Sequence, residues 1–150
     1  KPNENYPKQL DEVKTFMLGA KAYNAGGQTA RNLPFEAVKG LFDGSQRLYV
    51  NVNGEKEITD AINFSKEMGV KNLVVIGGDE AHKVADLLAA NNISVLITGP
   101  HRLPESEDTN VKHPFMLAKL LSDKGVLVGL EVSGNQERIN TRNLPFFAGS

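Results

Sequence analysis

The chain of 150 residues contains no cysteine. That absence excludes disulfides, thiolate metal sites and a cysteine nucleophile, but leaves the compartment open, because cytosolic and exported proteins alike can lack the residue. A surplus of either charge is missing too: 17 Lys and Arg stand against 18 Asp and Glu. Nothing is basic enough to argue for nucleic acid, and no run of like charge argues for a membrane surface. No apolar run approaches the length that spans a bilayer, and no signal peptide is visible. The three histidines, His82, His101 and His113, are not spaced as a metal motif. What remains is ordinary for a globular protein, 40% hydrophobic and 23% charged, long enough for one domain with a real core. The chain starts at Lys1 rather than Met and stops in an apolar stretch, Phe146–Ser150, so both ends read as cut. Localisation is left between cytoplasm and periplasm.

Lys1–Pro7 is polar with two prolines and reads as an arm on a single domain, 1–150. Leu10, Val13, Met17, Ala20 and Tyr23 fall at helical spacing and predict a helix over Gln9–Asn24. A second helix is expected over Leu33–Phe42, with Pro34 in its first turn. From Leu48 a repeating pattern begins. Apolar runs at Leu48–Val52, Asn72–Ile76, Ile93–Thr98 and Val126–Glu131 read as strands. Helices are expected over Glu55–Met68, Glu80–Ala90 and Phe115–Asp123, and another begins at Leu144. The strands are continuously apolar rather than alternating, as strands of a parallel sheet covered on both faces are. The fold class is therefore α/β, built from parallel strand–helix units. Four units are half of a (β/α)8 barrel, which typically needs about 250 residues. RNLPF occurs twice, at Arg31–Phe35 and Arg142–Phe146, and reads either as a repeated helix start with Asn as N-cap and Pro in the first turn, or as a signature shared by two helices in equivalent barrel positions.

The order of these pieces resembles the later half of an imidazolonepropionase-like amidohydrolase, from about Arg31 to Ser150. ARNLPFEAVKGLF is similar to a family helix of the type RDLxLEAL, and the strand RLYVNVN stands where the family has one ending in HAH. NLVVIGG takes the place of a strand ending in EHG, and DEAHKVADLL resembles a TEAYKVADEL-type helix. ISVLITGP is similar to a strand with a VGP-type turn, and GVLVGLEVSG to a last barrel strand of the type GVKVALSTDS. The resemblance implies half of a TIM barrel from a superfamily that hydrolyses C–N bonds with a metal-activated water. Imidazole and carboxylate ligands suit Zn²⁺, which lowers the pKa of its water. Carried over residue by residue, the ligand pattern is lost. The fifth-strand His falls on Asn51, the second His of HAH on Asn53, the sixth-strand His on Gly77 and the eighth-strand Asp on Ser133, with Glu131 and Asn135 two residues to either side. Asn is a poor substitute for imidazole at Zn²⁺, and Gly offers no side chain.

The expected reading is a catalytically degenerate amidohydrolase-like domain that retains small-molecule binding, with no metal in this stretch and Zn²⁺ only if an HxH strand lies upstream. The first alternative is an active metal-dependent amidohydrolase whose metal is held mainly outside this stretch, helped by Glu131 or His101. The second is an independent flavodoxin-like or Rossmann-like module, for which the sheet would show a strand-order reversal. Candidate pocket residues are Asn51, Asn53, Gly77, His101, Arg102, Glu131 and Ser133. His101 offers an acid, base or ligand and Arg102 a grip on carboxylate or phosphate, unless both only order their loop by pairing with Glu105, Glu107 or Asp108. His82 reads as solvated and local, and His113 as helping to start a helix. Gly77-Gly78-Asp79 lacks the full G-x-G-x-x-G of a nucleotide site. Four barrel strands leave two open edges, so a homodimer that covers them is expected.

Overall fold

The computed structural model describes residues 5–26, 30–104, 109–132 and 141–149. The elements begin with helices α1 (Tyr6–Ala25), α2 (Leu33–Ala37) and α3 (Gly40–Asp43). Strand β1 (Leu48–Val52), helix α4 (Glu55–Met68) and strand β2 (Leu73–Gly77) follow. A 3-10 turn (Ala81–Val84) then runs into α5 (Ala85–Ala90) and β3 (Ser94–Thr98). Helix α6 (His113–Ser122), β4 (Val128–Glu131), a 3-10 turn (Thr141–Asn143) and α7 (Leu144–Ala148) complete the described chain. No helix among the described residues is long and apolar enough to cross a membrane.

Proline and glycine set several boundaries. Helix α1 starts at Tyr6, earlier than the periodicity predicts, because Pro7 sits in the first turn, where its missing N–H leaves no bond unmade. Tyr6 and Pro7 thus belong to the helix rather than to an arm, and residues 1–4 lie outside the described residues. The single helix expected over Leu33–Phe42 is two short ones, broken at Val38–Lys39. Here Lys39, Leu41 and Phe42 donate to carbonyls three residues back, and Gly40 O accepts from both Gly44 and Gln46. The chain folds back on Gly40 so closely that a Cβ there would meet Gln46 and Ser45 side chains.

The chain divides into two compact units, Lys1–Leu48 with Asn63–Asn72, and Tyr49–Ile62 with Leu73–Ser150. The first packs Met17, Leu41, Met68 and Val70 into a core flanked by Val38, Phe42, Leu48 and Phe64. Phe35 fits over Gly19 and between Phe16 and Tyr23, with ring centroids at 5.4 and 5.7 Å. The Tyr23 hydroxyl accepts from Asn32 N and donates to Glu36, which Arg31 also holds.

The second unit holds the sheet, in the order β1-β2-β3-β4. β2 pairs parallel with β3, Val75 opposite Val95, and β3 pairs parallel with β4, Thr98 opposite Glu131. Each strand lies beside the next strand in sequence, with helical chain between them. No strand-order reversal occurs, so the arrangement is that of successive units of a (β/α) barrel rather than of a doubly wound sheet. Val75, Val95 and Ile97 are buried with Ile58, Ile62, Leu88, Leu117 and Leu121 from the helices. At about 25 cal/mol per Å² of apolar area, each such side chain contributes roughly 1.5–3 kcal/mol, an upper bound set by the unfolded reference.

Candidate functional site

The carboxyl ends of β1, β2 and β3 open into one cavity of about 490 Å³. Asn53 and Gly54 line it after β1; Asp79, Glu80, His82 and Lys83 after β2; Thr98, Pro100, Arg102 and Pro104 at and after β3; and His113, Pro114 and Leu117 from α6. This is the end of a parallel sheet where barrel proteins build their sites, because the loops there vary without disturbing the strands.

The β1 end is tied to its neighbours through the backbone. Gly78 N donates to Val52 O and Glu80 N to Asn53 O. Glu57 reaches back from the first turn of α4 to accept from the backbone of Asn53 and Gly54, and Glu80 accepts from Glu55 N at 2.9 Å. Both uses satisfy N–H groups that a helix start leaves without partners. Gly77 ends β2 with φ +91°, in the left-handed region, and a Cβ there would land on Asn53 Oδ1. No side chain fits at 77 unless Asn53 moves and the backbone changes.

Asp79 is the hub of the cavity. Its Oδ1 accepts from Arg102, its backbone carbonyl lies 3.1 Å from His113 Nε2, and its Oδ2 is buried with no hydrogen-bond partner. A carbonyl oxygen only accepts, so that bond puts the proton on Nε2 of His113. His82 meets His113 edge to face with centroids 4.3 Å apart, and its Nδ1 is also buried without a partner. Burial holds the His82 pKa below its ordinary value, and His113 and then Lys83 push it the same way. Lys83 bonds Glu80 at 2.5 Å, which holds the Glu80 carboxyl below and the Lys83 ammonium above the usual range. The carboxylates and cations of the cavity wall, Asp79 with Arg102 and Glu80 with Lys83, are therefore paired with one another.

The residues expected at the site are scattered. Asn53 and Arg102 line the cavity. Asn51 is exposed on β1 and does not line it, whereas Gly77 is buried beneath Asn53. Pro100, Arg102 and Pro104 line the cavity, while His101 between them stacks on Phe115 at 5.4 Å and meets Phe147 edge-on at 5.0 Å. Glu131, half-buried at the end of β4, accepts from the Thr98 hydroxyl. Ser133, Asn135, Glu105, Glu107 and Asp108 lie outside the described residues. His113 does start α6. His82 is not solvated and local: Ala81–Val84 winds as a 3-10 turn, which brings its ring half-buried against His113. Asp79 was legible as the first charged residue beyond a strand end, the position of the strand-end rule.

No protein-family profile matches the chain, and no curated protein sequence does. Among solved structures it is similar to the crystal structure of an amidohydrolase from Thermotoga maritima MSB8, with a TM-score of 0.62 and 21% identity over 80% of this chain and 33% of that one. The chain thus spans about a third of that protein's length. At this identity the likeness is one of fold, and it agrees with the four strand–helix units being part of a (β/α) barrel.

Proposed function

We propose that this chain is a piece of an amidohydrolase-like barrel, of the imidazolonepropionase-like type, that has given up its metal positions and binds a small molecule at its strand ends. The observation that carries the reading is the closure of position 77. Gly77 adopts a backbone that L side chains rarely take, and Asn53 Oδ1 fills the space of its Cβ. A ligand side chain there would have to displace Asn53 and hold a strained backbone. The donor chemistry agrees. Asn51 is a poor Zn²⁺ ligand, Asp79 is engaged by Arg102, and among the described residues no three His, Asp or Glu side chains converge on one point. The described residues therefore do not fit a catalytic zinc ion. What they do fit is a pocket of mixed lining, with a few convergent polar groups, of the size that small ligands occupy.

The test is metal content and hydrolysis in the full natural polypeptide, before and after Asn51→Ala and Glu131→Gln. The expected result is no Zn²⁺ uptake that depends on either residue, and no chelator-sensitive hydrolysis of N-acyl amino acids or cyclic amides that either one controls. Stoichiometric Zn²⁺ lost on either substitution overturns the reading in favour of an active metal-dependent amidohydrolase.

A further inference from the structure

We propose that the cavity takes a ligand bearing a guanidinium or primary ammonium group, which binds Asp79 in exchange for Arg102. The proposal rests on the reading of the strand-end cavity as a binding site. A carboxylate facing a guanidinium is frequently met by two parallel N–H donors, one to each oxygen. Asp79 is met on one side only: Arg102 donates to Oδ1, and Oδ2 is buried with no partner. The carboxylate is thus placed for a forked donor that its internal partner does not fully supply.

Three features make the exchange physically reasonable. His113 donates to the Asp79 carbonyl, and Gly78 N and Glu80 N hold the flanking peptides to the β1 end, so the carboxylate is fixed by its backbone rather than by Arg102. Arg102 lies on the loop after β3, with Gly99 at φ +57° at the base of that loop, and its side chain is about one-third exposed. The nearby cation Lys83 is held by Glu80, so it does not take the place of Arg102. Lifting Arg102 away leaves an unbalanced negative charge in the cavity, which favours an incoming cation and disfavours an anion.

The competing view is that Asp79–Arg102 only latches two loops together. Agmatine, arginine and the uncharged N-butylurea, which keeps the planar N–H fork without a cation, separate the two, by calorimetry and amide NMR at pH 7.5. The expected result is binding of agmatine or arginine with shifts at Asn53, Asp79 and Thr98, and none with N-butylurea. Arg102→Gln removes the internal competitor and should tighten binding by about tenfold, as freeing a competent state does. Asp79→Asn should weaken it by at least as much. Since Asp79→Asn removes an internal pair, its fold is checked by NMR dispersion; Arg102→Gln leaves the carboxylate intact and tests the exchange independently. Failure of both cations to bind wild type and Arg102→Gln overturns the proposal, as does weaker binding to Arg102→Gln or N-butylurea binding as tightly as agmatine. A set of neutral amides and sugars tells this failure from that of the site itself. If these shift the cavity amides while the cations do not, only the cation proposal falls; if nothing shifts them, the binding reading falls with it.

Discussion

At the scale of single residues the strand ends are ruled by two side chains that do little alone. Asn53 fills the space over Gly77, and the backbone at 77 is left-handed. Gly77→Ala should therefore cost about 1–3 kcal/mol, from positive φ and the displaced Asn53 together. Urea unfolding measures it, and the double variant with Asn53→Ala should recover the steric share but not the backbone share. Full recovery would show that φ is not strained. His82 gives a second handle. Its folded pKa is lowered from 6.5 by burial first and by His113 next, so the folded chain resists a proton that the unfolded chain accepts. Its contribution is present above the unfolded value, near 6.5, and is lost as pH falls from there through the folded pKa. Unfolding midpoints should thus decline as the solution is acidified from about pH 7.5 to about 5.5, the range in which histidine titrates, and His82→Gln should flatten that decline. Glu80, Glu36 and Asp43, also lowered, add their own loss only in the more acidic range of carboxylates. An unchanged slope in His82→Gln would assign the decline to other groups.

At the scale of elements, the repeated RNLPF shows how far local rules reach. Both copies start a helix with Pro in its first turn, as the spacing predicts. Only one Asn caps by its side chain: Asn32 Oδ1 accepts from Phe35 N, whereas Asn143 makes no such bond. Asn32→Ala should accordingly cost about 0.5–2 kcal/mol and Asn143→Ala close to nothing, by thermal or urea unfolding. Equal costs would mean that the motif, not the cap bond, sets stability. The same boundary separates what was legible elsewhere. Continuous apolar runs located all four strands to within one or two residues, and α4 falls on Glu55–Met68 as its periodicity predicts. The helix expected over Glu80–Ala90 instead begins as a 3-10 turn, a choice that periodicity cannot see because the buried positions Ala81, Ala85 and Leu88 fit either winding. Asp79–Arg102 and His82–His113 join residues far apart in the sequence, on separate loops and helices. No local pattern encodes such pairs, which is why Asp79, His82 and His113 come together as a site only once the strands are set side by side.

At the scale of the molecule, the sheet order leaves an outer edge on β1 and another on β4, with no further strand on either among the described residues. A barrel removes its edges by closing, and an open edge invites pairing with another chain. Large apolar side chains stand at both: Tyr49 on β1 is 53% exposed, and Leu127, beside the start of β4, is 74% exposed. We propose that two copies of this chain associate through these strands. Sedimentation velocity over a concentration series should give twice the chain mass at high micromolar concentration. Tyr49→Lys together with Leu127→Lys should return the protein to a monomer, since charge on an edge strand opposes strand addition. Both residues are already largely solvent-exposed, so the substitutions should leave the unfolding midpoint of the monomer nearly unchanged. A wild-type monomer throughout the series would overturn the association. A dimer indifferent to both lysines would place its interface on another surface.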